Sequence, residues 1–276
     1  MPPGRERTPV TDEHPLPTKL NTNIAHPARL YDYWLGGKDN FAADRELGEK
    51  ILAAQPGSLE SVRANREFLK RAVRHAAAAG IRQFIDIGSG LPTVENTHEI
   101  AQRCLAEPRV VYVDIDPIVI LHGRALLADA GSTVVVQGDV RRPERIFKHP
   151  DVRQLIDFDQ PVAVLLLGVL HYVAEEQDPQ GIMSRIRDAI APGSHVILSH
   201  LTGDDDPRTM EGSINIVKRT PVSAVSLPRT YDQVERLFEK LDILDPGIVP
   251  VHQWRPDRPV SMDRRFWLWA GVARKP

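Results

Sequence analysis

The sequence has almost no cysteine: one, Cys104, in 276 residues. That excludes an internal disulfide and argues against a cysteine-based zinc site. Neither charge sign dominates. Lys and Arg number 35 and Asp and Glu 37, a net charge of −2, which excludes a strong general pull toward nucleic acid or anionic membrane. A local basic cluster, Arg141, Arg142, Arg145 and Lys148, is diluted by Asp139 and Glu144. Long apolar runs are missing too. The longest, residues 161–170, is interrupted by Gly168 and falls well short of the ~20 residues of a membrane helix. The N-terminus carries no apolar signal segment, so a soluble, cytoplasmic protein is expected. No repeat is visible, no H-E-x-x-H pair, and no G-K-S/T phosphate loop. No metal is expected.

What is present is a long chain with a clear change of rhythm. Residues 1–20 carry Pro2, Pro3, Pro9, Pro15 and Pro17 among charges and read as a flexible tail. Residues 21–80 read as a helical extension, strongest at 44–54 and 58–79 and split by Pro56-Gly57. In the second helix Leu59, Val62, Leu69, Ala72, Val73 and Ala76 share one face. From residue 81 short apolar strands alternate with helices. Strands are expected at 83–87, 109–114, 133–137, 161–167 and 194–201, and helices at 96–106, 117–130 and 179–191. This alternation implies a parallel sheet with right-handed crossovers. The end breaks the pattern: a helix at 230–240, a short strand within 241–249 and a terminal strand at 266–273 predict an antiparallel hairpin. The expectation is one α/β domain, 81–276, with an insertion around 203–225.

Chemistry concentrates at the strand ends. Asp86-Ile-Gly-Ser-Gly90 joins the first strand to a helix. Gly88 and Gly90 permit a tight turn and close approach of a ligand to backbone. A dinucleotide fingerprint needs a third glycine at Thr93. The second strand ends at Asp114, about twenty residues on, where a carboxylate can accept from ribose hydroxyls. The third ends at Gly138-Asp139, where a carboxylate can receive an adenine amine. Three acids without a phosphate cradle suit a nucleoside bearing a cationic amine and no phosphate. S-adenosylmethionine (SAM) answers that description.

On these residues the sequence resembles the class I SAM-dependent methyltransferases. Asp86-Ile-Gly-Ser-Gly90 is similar to their first motif, Asp114-Ile-Asp-Pro117 to the ribose-binding segment, and Gly138-Asp139-Val140 to the adenine-contacting segment. Leu165-Leu-Leu-Gly-Val-Leu-His-Tyr172 resembles the motif beside the methyl group, and Ala191-Pro-Gly-Ser-His195 the turn before the fifth strand. A narrower resemblance, to a bacterial family of SAM-dependent methyltransferases of unassigned substrate, rests on three segments. They are Ala28-Arg-Leu-Tyr-Asp-Tyr-Trp-Leu-Gly-Gly-Lys-Asp-Asn40, Arg63-Ala-Asn-Arg66 and Gly90-Leu-Pro-Thr93. The resemblance implies a Rossmann-like α/β sandwich, mostly parallel, seven-stranded, with an antiparallel last strand. It implies SAM contacts at Asp86, Gly88, Ser89, Gly90, Asp114, Ile115, Asp116, Gly138, Asp139, Val140, Leu167 and Gly168.

Other residues carry two readings. Asp116 either serves the site or starts a helix at Pro117. Asn96 and Glu99 have capping-box spacing. His98 just beyond the glycine turn is read as structural or as a neighbour of the cofactor. Asp204-Asp-Asp206 reads as a solvated loop, and Cys104 as a packing residue. His171 is the candidate proton acceptor near the methyl group. The aromatics Tyr31, Tyr33, Trp34 and Phe41 suit packing, while Gly36-Gly37-Lys-Asp is hard to explain that way. The extension is expected to cover the cofactor mouth as a lid, with Arg66 reaching the methionine carboxylate. A small-molecule acceptor follows from such a lid, and oligomeric state is not readable. Two other functions share these features: a SAM- or nucleoside-binding sensor without transferase activity, and an NAD-dependent oxidoreductase.

Overall fold

The computed structural model describes residues 21–92, 95–127, 132–260 and 265–276. The expected tail, Thr93 and the end of the helix predicted to run to 130 lie outside the described residues. Three helices come first: α1 (Pro27–Trp34), α2 (Ala42–Ala54) and α3 (Ser58–Ala78). The alternating part follows with β1 (Gln83–Ile87), α4 (Thr97–Cys104), β2 (Arg109–Asp114), α5 (Pro117–Leu127) and β3 (Thr133–Gln137). Two short helices, α6 (Pro143–Lys148) and α7 (Pro150–Leu155), lead to β4 (Ala163–Leu167), α8 (Pro179–Ala189) and β5 (His195–Leu201). The chain ends with α9 (Pro207–Lys218), α10 (Tyr231–Arg236), β6 (Asp242–Ile243), β7 (Val249–Pro250) and β8 (Leu268–Arg274). Helices α1, α5, α6, α7, α8 and α9 all begin on a proline, whose fixed φ suits a first turn and whose missing N–H costs nothing there. That is where much of the proline is spent, and it is why α6 and α7 interrupt a stretch with little helical periodicity.

The sheet runs β3-β2-β1-β4-β5-β8-β6. β1 to β5 pair in parallel, and β8 lies antiparallel against β5 from His195↔Arg274 to Leu201↔Leu268. The predicted hairpin is present with one difference. Its first arm is two pieces, β6 and β7, both paired to β8, so among the described residues eight strands fill the seven positions of the sheet. Asp245-Pro246-Gly247 lies between the pieces, where Pro246 has no N–H for a ladder and Gly247 turns at φ +93°.

Each sheet face buries alternate residues. Ile85 and Ile87 pack with Ile182 and Ile186 of α8 and Phe238 beyond α10. Phe84 packs on the other face with Phe68, Leu69, Ala72, Val73 and Ala76 of α3. The α3 face is as expected except that Leu59 is only half-buried and Phe68 is fully buried. Cys104 is a correction. It is exposed at the last turn of α4, facing outward as the chain becomes extended at Leu105. Among the described residues no helix is long and apolar enough to cross a membrane. The strand order reverses between β1 and β4, so a crevice opens at their carboxyl ends.

Candidate functional site

A cavity of about 710 Å³ occupies that crevice. Every site residue predicted from the sequence borders it: Arg66, Asp86, Gly88, Ser89, Gly90, Asp114, Ile115, Asp116, Gly138, Asp139, Val140, Leu167, Gly168 and His171.

The turn after β1 is held by β2. Gly88 and Ser89 donate their N–H groups to the Val113 carbonyl, at 2.7 and 3.1 Å. Both glycines are left-handed but for different reasons. At Gly88, φ +71°, a Cβ would lie 2.4 Å from Val169 Cγ2, so protein packing forbids a side chain. At Gly90, φ +67°, a Cβ would meet nothing within 4 Å, so its outer side faces open space.

The acids differ in what they hold. Asp114 is buried, with Gly90 N–H on Oδ2 and Asp116 N–H on Oδ1, both at 2.9 Å. Burial nonetheless pushes its carboxyl up to about 6. Asp116 fulfils its structural reading, accepting from Ile118 N–H at 2.8 Å at the start of α5, and also borders the cavity. Asp86 takes the Thr97 hydroxyl at 2.6 Å, and burial raises its carboxyl above the usual range. Partial burial works to raise Asp139, but Arg141 Nε, 2.8 and 2.9 Å from its two oxygens, holds it below the usual range. Ile115, half-exposed at 49 %, stands between two buried acids and gives the mouth an apolar surface.

Residues of the extension border the same cavity, and its helices are tied together by buried polar contacts. Asp44 is fully buried, taking Arg29 Nε at 3.0 Å and the N–H groups of His26 and Phe41, each at 2.8 Å. His26 Nδ1 faces both the Ala28 N–H, 3.2 Å, and Asp116 Oδ2, 3.1 Å. One nitrogen cannot accept from the first and donate to the second, so the neutral ring caps α1 and the protonated ring pairs with Asp116. Burial lowers the His26 pKa and favours the cap. Within the Gly36-Gly37 run, Gly37 has a packing explanation, while Gly36 turns at φ +82° with open space where a Cβ would stand. Asp32 Oδ2 accepts from Asp39 N–H and Asn40 Nδ2, both at 2.9 Å, and a Cβ on Gly37 would fall 1.9 Å from Asp32 Oδ1.

At the end of β4 stand Leu167, Gly168 and the short turn Leu170–Tyr172. Arg229 is buried beneath this turn, donating to the Leu170 and Val173 carbonyls at 2.9 and 2.8 Å and to His200 Nε2 at 2.8 Å. His171 Nδ1 accepts from Leu201 N–H at 3.3 Å, and burial drives its pKa well down. The neutral ring therefore carries its proton on Nε2. Beyond this turn the cavity becomes apolar, lined by Leu30, Trp34, Leu47 and Ile51 of the extension and by Met210, Ile214 and Val217 of α9.

Several sequence candidates lie elsewhere. His98 is buried with its ring and its N–H on Tyr112 Oη, both at 2.8 Å. Glu99 accepts from Asn96 N–H at 2.6 Å, in keeping with the capping reading. Two residues of Asp204-Asp-Asp206 are structural and not merely solvated. Asp206 caps α9 and Asp204 accepts from Trp269 Nε1 at 3.0 Å. The sequence reading gives no role to Thr97 or Arg229, nor to Val169 and Asn65, which lie inside the quoted Leu165–Tyr172 and Arg63–Arg66 segments.

A family model described as S-adenosyl methyltransferase matches residues 13–276. The chain is similar to a candidate methyltransferase of known structure from Thermobifida fusca YX, with 44% identity, TM-score 0.86, and 92% of this chain and 96% of that one covered. A DUF574-family protein from Streptomyces avermitilis MA-4680 gives 40% identity and TM-score 0.86, over 92% and 99% of the two chains. The N-methyltransferase NodS from Bradyrhizobium japonicum WM9, solved with S-adenosylhomocysteine, shares the fold at 14% identity and TM-score 0.50, over 90% and 99%. Among curated proteins no sequence match is found.

Proposed function

The chain belongs to the S-adenosyl methyltransferase family, and from that premise we propose that it methylates a small-molecule acceptor enclosed between the sheet and the N-terminal helices. The observation that carries this reading is a continuous cavity of about 710 Å³ that joins the acid-lined strand ends to an apolar chamber under α1, α2 and α9.

The residues present fit SAM. Gly90 leaves open space where a side chain would stand, and Ile115 offers an apolar surface between buried carboxylates. In the proposed arrangement Asp114 receives the ribose hydroxyls. Asp139 receives the adenine amine, with Ile115, Gly138 and Val140 against the ring. Asp86, Arg66 and the Gly88-Ser89-Gly90 backbone hold the methionine end, and Asp116 supports the ribose edge. Leu167 and Gly168 border the methyl group. When bound, SAM supplies a methyl group activated by its sulfonium. The chain's own task is to orient the acceptor and exclude water, and such positioning contributes on the order of 7–11 kcal/mol. The extension, residues 21–80, serves as the cover over this site.

Calorimetric titration with SAM, S-adenosylhomocysteine and NAD tests the reading. Micromolar binding of the first two, lost in Asp114→Ala, is expected. Binding of NAD alone would overturn it.

A further inference from the structure

Two polar side chains meet at Gly168 with capacities that the fold fixes and leaves unused. The first is Asn65 on α3. Tyr31 Oη donates its only proton to the Val62 carbonyl, 3.2 Å away. Its oxygen can then only accept, so Asn65 presents Nδ2 to it, at 3.1 Å. That assigns the amide, and Asn65 Oδ1 is left buried with no partner among the described residues. The side chain is 3 % exposed. A buried carbonyl without a donor has lost its water and gained nothing in return, which is why such groups are rare in native proteins. The second is His171, whose Nδ1 is engaged by Leu201 N–H and whose Nε2 carries the proton. Charging the ring would forfeit the Leu201 bond, and burial beside His200 and Arg229 already opposes it. His171 therefore offers a donor, where the sequence reading offered a base. The two residues flank one glycine. A Cβ on Gly168 would lie 3.4 Å from His171 Cε1 and 3.9 Å from Asn65 Nδ2.

The chamber around them is apolar, with Leu30, Ile51, Met210 and Ile214 on its walls. The Trp34 indole N–H is another buried group there without a partner among the described residues. Two charged groups bordering the chamber already hold protein partners: Arg29 is ion-paired with Asp44, and Asp32 Oδ2 is occupied by Asp39 N–H and Asn40 Nδ2. An ammonium or carboxylate entering here would give up its water for walls whose charged groups already hold protein partners, so desolvation opposes it. Desolvation opposes a neutral molecule far less.

We propose that the methyl acceptor is a neutral, largely apolar molecule anchored by a hydroxyl group. That hydroxyl donates to Asn65 Oδ1 and accepts from His171 Nε2. The proposal rests on the cavity being the methyl-transfer site and names the chemistry its acceptor end selects.

The test is calorimetry on the full chain saturated with S-adenosylhomocysteine, with 1-naphthol as the neutral probe. 1-Naphthoate and 1-naphthylmethylammonium are charged probes of similar size. Naphthol is expected to bind at least tenfold tighter than either ion. Asn65→Leu should weaken naphthol tenfold or more while S-adenosylhomocysteine affinity stays within threefold. Asn65→Ser repeats the measurement where the leucine variant does not fold. Asn65→Asp should bring the ammonium probe above naphthol, a reversal that mere loosening of the fold would not produce. Preference of the native chain for either ion, naphthol binding unchanged in Asn65→Leu, or no binding of any probe to the loaded protein would overturn the proposal. Failure of S-adenosylhomocysteine itself to bind is a different result: it removes the cofactor reading and this one with it.

Discussion

Gly90 N–H donates to Asp114 Oδ2 at 2.9 Å, so the glycine turn after β1 and the acid ending β2 form one unit. Burial puts the Asp114 carboxyl at about 6, above its ordinary 3.8. Only the ionised form is a full acceptor for ribose hydroxyls. SAM affinity should therefore fall as pH drops through about 6, and Asp114→Asn should flatten that dependence at lower affinity. Stability runs the other way. A raised folded pKa contributes stability that is complete below the unfolded value and lost as pH rises through the folded one. Calorimetry and thermal melts from about pH 5 to about pH 8 would separate the two trends. A pH-independent SAM affinity would remove Asp114 from the ribose role.

Arg66 borders the cavity and donates to the Glu95 carbonyl at 2.8 Å. If its guanidinium also takes the methionine carboxylate, Arg66→Ala should weaken SAM about tenfold or more, in the range of a lost charge-assisted hydrogen bond. Arg66→Lys should recover only part, because an ammonium cannot make the planar fork. Adenosine, which lacks the carboxylate, should bind both variants as it binds the native chain. Equal losses for SAM and adenosine would mean a general disturbance of the site.

Gly88→Ala meets two obstacles. The left-handed φ costs a non-glycine residue roughly 1–2 kcal/mol. The new Cβ also falls 2.4 Å from Val169 Cγ2, and such overpacking costs about 1–3 kcal/mol more. Combining Gly88→Ala with Val169→Ala should return the second cost and leave the first. Urea denaturation of the four proteins in the cycle measures this coupling. Strict additivity would show that Val169 moves aside freely.

Arg229 joins the Leu170 and Val173 carbonyls to His200 in the protein interior. Arg229→Met would leave the Val173 carbonyl and His200 Nε2 without this donor, leave the Leu170 carbonyl with the Val173 N–H alone, and break the ion pair with Glu175. A loss of about 3–5 kcal/mol is expected, as for other buried charged groups removed from their partners. Arg229→Lys should rescue little, because one ammonium cannot span the same three acceptors. A loss under about 1 kcal/mol in urea denaturation would mean that the turn bearing His171 does not depend on this arginine.

Much of the architecture could be read along the chain. Strands β1, β2 and β3 fall on the predicted residues because short apolar runs between turn signals report a buried strand directly. β6 and β7 were not separable, because two-residue strands have no periodicity to detect. The glycine turn and the strand-end acids were legible as a spacing. Their partners were not: Thr97 on Asp86 and Gly90 on Asp114 are contacts made by the packed turn. Cys104 was misread because composition cannot tell which side of a short helix faces out.

The sequence by itself determined the alternation of strand and helix, the turn after β1 and the carboxylates at the strand ends. These are local properties, set by side-chain period, by backbone freedom at glycine and by position along a strand. Only the tertiary structure decided what those residues hold and what faces them. Asn65 meets Tyr31 from 34 residues away, Arg229 reaches Leu170 across 59, and Leu201 sets the tautomer of His171 across 30. Such pairings exist only once the sheet has ordered its strands and α1, α3 and α9 have packed over their ends. The proposed acceptor chamber, with apolar side chains on its walls and the Asn65 carbonyl unpartnered among the described residues, belongs to that packing.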